Sequence, residues 1–254
     1  MKKPPTAPPP RDPVERVFGL RAALAVFDAR ADDITAVHLD PAVQREADAL
    51  LRWAASKGVT VTRGDARALA KVTGSELHEG LCVTARPRRW TTPATLQNLL
   101  RPKGFAVAVD RVRNPYNVGA VLRSAAFFGA AGMILGAQAP HPALAPLAVR
   151  VAEGGAERVA LCRTTDLAET LSRLRAAGVR VLGAEAGGDI PHTALTLSGP
   201  TVLVMGHERE GLSPRVRALC DGRVSIAGSG QIESLNVGVA AGILLAALSS
   251  PRAG

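Results

Sequence analysis

The sequence predicts an α/β protein built around a parallel sheet. From residue 104 onward, short and continuously apolar runs alternate with helical patterns. Runs of that kind are strands covered by helices on both faces. A smaller α/β pattern precedes them, and no internal repeat is visible.

The elements follow in chain order. Residues 1–18 read as a disordered, basic, proline-rich tail, with Pro4, Pro5, Pro8, Pro9 and Pro10 among the cations Lys2, Lys3, Arg11 and Arg16. Proline fixes φ and removes a backbone donor, so neither helix nor strand is expected there. Residues 19–86 read as a small unit. A strand over 34–39 leads to a helix over 42–56, with Val43, Ala47, Leu50, Leu51 and Ala54 at helical spacing and Lys57-Gly58 as the stop. A strand over 59–62, a helix over 65–72 and a strand over 81–84 follow. Residues 87–103 read as a basic linker with a short helix near 93–100. Arg86, Arg88, Arg89, Arg101 and Lys103 meet no acid in this stretch, so it is either a solvated connector or a band touching RNA. Beyond it, strands are expected over 105–109, 133–135, 159–161, 179–183, 202–205 and 223–226. Helices are expected over 117–128, 166–177, 214–219 and 235–248.

Composition narrows the function. The 254 residues carry 31 Lys and Arg against 22 Asp and Glu, a net charge of +9. Such a surplus suits a polyanionic partner, because lysine and arginine neutralise phosphates and release their counterions. Aromatic residues make up only 3%, which argues against binding by rows of stacked bases. The longest apolar stretch, 237–248, falls short of the ~20 residues a membrane span needs. Met1-Lys2-Lys3 runs straight into prolines, with no apolar core of a signal peptide. Cys82, Cys162 and Cys220 are far apart and form no CxxC, so neither a disulfide scaffold nor a zinc site is expected, and the cytoplasm is the expected compartment.

Several site patterns are missing: GxxxxGK[ST], HExxH, GxSxG, and GxGxxG after the first strand of the sheet. His38, His78, His141, His192 and His207 have no ligand spacing, and no metal is expected. Three segments stand out instead. In Asp110-Arg-Val-Arg-Asn114-Pro-Tyr-Asn117-Val-Gly119-Ala-Val-Leu-Arg123, a strand opens into a helix whose buried stripe is Val118, Val121, Leu122 and Ala125. Arg123 lies ~140° from Val118, off that stripe. Gly119, one turn earlier on the face of Arg123, costs ~1 kcal/mol of helix propensity, so something is expected to approach it closely. In Val202-Leu-Val-Met-Gly206-His-Glu208-Arg-Glu-Gly211-Leu-Ser213-Pro214, an apolar strand enters a loop bracketed by glycines, with Ser213 and Pro214 opening a helix. In Ile226-Ala-Gly228-Ser-Gly230-Gln-Ile-Glu-Ser234-Leu235-Asn236, a glycine-rich loop brings Ser234 and Asn236 to the mouth of an apolar helix. Ligands of open α/β sheets bind at the carboxyl ends of the strands, where these loops fall.

Together and in this order, the segments resemble the SpoU/TrmH branch of the SPOUT RNA methyltransferases. Asn117-x-Gly119-x-x-x-Arg123 matches the first motif, Gly206-x-Glu208-x-x-Gly211-Leu212 the second and Ser234-Leu235-Asn236 the third. The resemblance covers about 104–250. Residues 19–84 are similar to the small L30e-like RNA-binding domain that precedes the catalytic domain in several members, with His78-Glu79-Gly80-Leu81 near its end. Ala152-Glu-Gly-Gly-Ala-Glu157 is similar to a segment of the YfiF-type subgroup.

The resemblance implies methyl transfer from S-adenosylmethionine to a ribose 2′-hydroxyl of structured tRNA or rRNA. It implies a catalytic domain over 104–254 with a deep trefoil knot, working as a homodimer. It places Asn117, Arg123, Glu208, Ser234 and Asn236 at catalytic positions. It places Val204, Gly206, Gly211, Ile226 and Leu235 at the cofactor, mostly through backbone. Arg123 resists deprotonation and suits an oxyanion stabiliser better than a base. Glu208 is the better proton acceptor, or else orients the loops. His207 and Ala227-Gly228 depart from the family pattern. The alternative is a catalytically silent RNA-binding protein of the same fold. A nicotinamide-dependent oxidoreductase is remote without GxGxxG.

Overall fold

The structure, a computed structural model, describes residues 14–136 and 144–249. The proline-rich start therefore lies almost wholly outside the described residues, as does His141. Where description begins, the expected tail gives way to structure: β1 (Glu15–Phe18) is a strand, paired antiparallel with β4 (Leu81–Ala85). Local composition hid it, because its partner lies more than sixty residues away. The helix α1 (Leu20–Arg30) follows, then β2 (Ile34–Leu39), α2 (Asp48–Lys57), β3 (Thr60–Arg63) and α3 (Ala66–Thr73). The four strands run in the order β1-β4-β2-β3, with only the β2–β3 pair parallel. Val17, Val37, Leu39, Leu81 and Val83 pack with Ala22, Ala23 and Val26 of α1 and Leu50 of α2. The helix expected from residue 42 starts later. Asp40 accepts a hydrogen bond from Ala42 N and turns Pro41–Val43 into a 3-10 turn first. Gly58, at φ 66°, ends α2 where Lys57-Gly58 predicts the stop.

The basic stretch after β4 is packed only in part: Arg86, Arg89, Arg101 and Lys103 stay exposed, while Arg88 and one face of the following helix are buried. Thr91 N donates to Leu161 O at 2.7 Å, adding a bridge to the edge of the larger sheet. Thr92 caps α4 (Pro93–Leu99), and Leu96 and Leu100 are wholly buried. Arg88 fits neither a solvated connector nor an RNA-touching band. Its side chain, 7% exposed, pairs with Glu15 at 2.5 Å and Glu157 at 3.1 Å. Arg30 pairs with the same two carboxylates. Burial opposes the charge of Arg30, but Glu157 and Glu15 more than offset this and raise its pKa above the ordinary value. The ring of Trp90 is already occupied by Arg163, 4.9 Å from its centroid.

The larger sheet is built from β5 (Phe105–Asp110), α5 (Pro115–Phe127), β6 (Gly132–Gly136), α6 (Pro146–Val151), α7 (Gly155–Arg158), β7 (Ala160–Thr164), α8 (Leu167–Ala176), β8 (Arg180–Ala184), β9 (Ile190–Pro191), β10 (Thr201–Met205), α9 (Pro214–Arg217), β11 (Gly222–Ser225) and α10 (Val237–Ser249). Its order is β7-β6-β5-β10-β8-β11-β9, and every pairing is parallel. Both faces are apolar, as the sequence predicts. Val107, Val109, Leu203 and Met205 meet the core shared with α5 and α10, while Ala106, Ala108, Val202 and Val204 meet Leu96, Leu171 and Leu174 on the other face. The close approach expected at Gly119 comes from α6. A Cβ there would lie 2.6 Å from Val151 Cβ and 2.7 Å from Ala148 O. Among the described residues, no helix is long and apolar enough to cross a membrane.

Candidate active site

The site grows from three strand ends. After β5, Asn114 accepts from Tyr116 N at 2.9 Å and caps α5, with Pro115 in its first turn. That cap sets Asn117 on the exposed start of the helix. After β10, the chain closes on itself: His207 N donates to Gly211 O at 3.0 Å, and Gly211 N to His207 O at 2.9 Å. A side chain at Gly206 has no room, since a Cβ would stand 2.4 Å from the carbonyl carbon of Gly211. After β11, residues 226–236 lead to α10, where Asn236 Oδ1 accepts from Gly238 N at 2.8 Å.

Three amides and carboxylates tie these ends together. Asn117 Nδ2 donates to Glu208 Oε1 at 2.5 Å, and Asn236 Nδ2 donates to Asn117 Oδ1 at 3.0 Å. The direction of the chain is forced. A carboxylate only accepts and a backbone N–H only donates, so both asparagines between them have a single consistent orientation. Three residues from three motifs, 91 and 119 positions apart, thus form one network.

Other candidates stand outside it. Arg123 is half-exposed on α5 and pairs with Glu153 at 2.9 Å. Six residues beyond Asn117, it sits ~9 Å further along the helix. Ser234 is exposed, Leu235 is half-exposed, and Ile226 packs partly against the core. Gly211 adopts φ 66° at the end of the closed loop. Val204 differs from the rest, because its side chain is wholly buried with Leu212 and Val216 and supports the loop from beneath. His207 Nδ1 accepts from Arg209 N and Glu210 N at 3.3 and 3.4 Å, and its Nε2 lies 3.9 Å from Glu208 Oε2.

Two residues that sequence reasoning passed over brace the closed loop. The buried Asp110 accepts from Ser213 N at 2.6 Å. Arg111 donates through Nη2 to Gly211 O at 3.1 Å and ion-pairs with Glu210. Arg111 holds a left-handed backbone, φ 62°, which a residue other than glycine rarely adopts. The available signal was an Asp-Arg pair at the carboxyl end of the first strand of the sheet.

The arrangement suits a small ligand held by backbone and apolar surface. Gly228 and Gly230 face open space, and Ile232 and Leu235 expose large apolar side chains on the same loop. A nucleoside, with polar edges and flat apolar faces, fits that combination. Among the described residues, no cluster of His, Cys, Asp or Glu could hold a metal ion.

Comparison with known proteins places the chain among RNA-modifying relatives. The profile of the SpoU rRNA Methylase family matches residues 104–246. A protein of Mycobacterium avium, described as an uncharacterized tRNA/rRNA methyltransferase, is 35% identical over 97% of this chain and 82% of its own length. The structure of the SpoU methyltransferase AviRb from Streptomyces viridochromogenes, in complex with AdoMet, superposes with a TM-score of 0.77 at 25% identity, over 93% of this chain and 89% of that one. An RNA 2′-O ribose methyltransferase shares the fold at 20% identity and a TM-score of 0.73, over 93% of this chain and 88% of that one.

Proposed function

The chain belongs to the SpoU rRNA methylase family, and from that premise we propose that it methylates a ribose 2′-hydroxyl of structured tRNA or rRNA with S-adenosylmethionine as donor. The hydrogen-bond chain Glu208–Asn117–Asn236 carries this reading, because it gathers the three motifs at the carboxyl ends of a parallel sheet. Gly206, Gly211, Ile226 and Leu235 are the residues to hold the cofactor. When bound, its sulfonium supplies an already activated methyl group.

What remains for the protein is positioning and charge. The hydroxyl loses a proton as its oxygen gains the methyl. Arg123 stabilises the oxygen as negative charge develops there, since a delocalised guanidinium stays charged and donates hydrogen bonds rather than taking up a proton. Glu208 has one oxygen engaged by Asn117, which leaves Oε2, beside His207, to accept the proton. Asn117 and Asn236 hold the loops, and Ser234 stands exposed at the rim. Asp110 and Arg111 keep the closed loop shaped before substrate arrives.

The wider assembly is part of the same proposal. Residues 15–86 are an L30e-like unit that holds RNA, and residues 104–254 are the catalytic domain. The insertion of β10 between β5 and β8, followed by the return of α10 to α5, supports a trefoil knot. A homodimer is supported by the apolar groups left outward on α5 and α10: Phe127 is 81% exposed, Val239 53% and Tyr116 50%. Light scattering at micromolar concentration should give twice the monomer mass.

The function is tested by incubating the protein with tritiated S-adenosylmethionine and bulk tRNA and rRNA, then analysing nucleosides. Label in a 2′-O-methylnucleoside is the expected result. Label in a base, or none in RNA, refutes the reading.

A further inference from the structure

Two motifs singled out in the sequence, His78-Glu79-Gly80-Leu81 and Ala152-Glu-Gly-Gly-Ala-Glu157, have no part in the three-loop network, yet the structure brings them to one junction. Glu79 caps α1, with Oε2 accepting from Leu20 N at 3.0 Å, and its Oε1 takes Arg150 Nη2 at 2.5 Å. Arg150 also donates through Nε to Leu77 O at 3.0 Å. Three residues further on, Glu153 Oε2 receives two guanidinium groups: Arg21 Nη1 of α1 at 3.0 Å and Arg123 Nη2 of α5 at 2.9 Å. The turn beneath it is wedged, because a Cβ at Gly154 would lie 2.7 Å from Ala25 Cβ of α1. Glu157 completes the junction through Arg30 and Arg88.

We propose that Glu153 is a positioning residue for Arg123, and that docking of the first unit through Arg21 is part of that positioning. The inference rests on the reading of Arg123 as the group that meets the reacting hydroxyl. Three observations carry it. Arg123 projects half-exposed from α5, and a long arginine left alone samples many rotamers, so a carboxylate at 2.9 Å selects one. One carboxylate shared by two guanidinium groups leaves a net positive charge, so Arg123 keeps its pull on a developing oxyanion. Glu153 is also one of three non-glycine residues with positive φ among the described residues, the others being Glu79 and Arg111. Each of the three makes a contact between segments far apart in sequence. Stability does not explain the pair, because exposed ion pairs contribute little to it.

The test uses the full chain, bulk tRNA and rRNA, and tritiated S-adenosylmethionine. Glu153→Gln should lower kcat about tenfold, leaving the KM for RNA, the Kd for S-adenosylhomocysteine and the melting temperature nearly unchanged. Arg21→Gln, on an exposed side chain that cannot unfold the protein, should lower kcat about two- to threefold in the same way. Glu153→Asp, which keeps the charge, should recover part of the loss. In an Arg123→Lys background, Glu153→Gln should add nothing further. The proposal is overturned if Glu153→Gln keeps full kcat, raises only the KM for RNA, or costs the same factor in both backgrounds. If Arg123→Lys itself leaves turnover intact, the reading of Arg123 fails and takes this inference with it. A damaged Arg123→Lys beside an unaffected Glu153→Gln removes the positioning role alone.

Discussion

Two loops leave the carboxyl ends of strands in the same sheet, and they are built differently. Residues 206–211 form a closed loop, bridged by His207 and Gly211, braced by Asp110 and Arg111, and seated on the buried Val204 and Leu212. Residues 227–236 are exposed throughout and carry Ile232 and Leu235 into the open. The only contact tying the second loop to the first runs through Asn236, Asn117 and Glu208 among the hydrogen bonds described. The difference separates two tasks. The first loop is shaped by bonds of its own, and the second, open along its length, is expected to be ordered by the ligand it covers.

The largest effect should come from cutting the tie. Asn117→Ala removes the one side chain that touches both loops and strands the Glu208 carboxylate without its donor. Turnover should fall by about a hundredfold or more, equal to ~2.7 kcal/mol of barrier. Unchanged kinetics would mean that the loops act independently. Gly206→Ala strikes the closed loop alone. Its Cβ must displace backbone at Gly211, as the 2.4 Å approach requires. A loss of about 1–3 kcal/mol in stability, with weaker S-adenosylhomocysteine binding, should appear in denaturant melts and calorimetry. A substitution to alanine at Gly228, which faces open space, should be mild by contrast.

Smaller still is the response of Cys220, which packs with Leu212 under the closed loop. Burial first, then Asp221 and Glu185, push its thiol up to about 11. At pH 8 roughly 0.1% is thiolate, so alkylation should be slow and should quicken only as pH climbs toward the thiol's pKa. Rapid labelling of Cys220 at pH 8 would show that burial and the two neighbouring carboxylates do not hold its thiol protonated.

Much of this was legible in the sequence, and the reason is locality. Most strands of the parallel sheet are short apolar runs, and Ser213-Pro214 marks the start of α9, so nearby residues place these, whereas α1, α6, α7 and the two-residue β9 carried no such local signal. The motif residues are visible because glycine and asparagine in such loops are poor choices for anything but close approach and capping. What stayed hidden depends on distant partners. Arg88 looks solvated until Glu15 and Glu157 arrive from opposite sides. The strand β1 is too short to announce itself without β4. Asp110 and Arg111 look like ordinary surface charges until Ser213 and Gly211 fold back on them. Glu153 gains meaning only when α1 and α5 both reach it.

Hydrogen exchange measured with and without S-adenosylhomocysteine tests the contrast most directly. Amides of residues 227–235 should exchange fast in the free protein and slow by at least about tenfold on binding, because the ligand orders a loop that has little structure of its own. Amides of His207 and Gly211, already bonded to each other, should change little. Protection confined to residues 206–211, or none at either loop, would contradict the account.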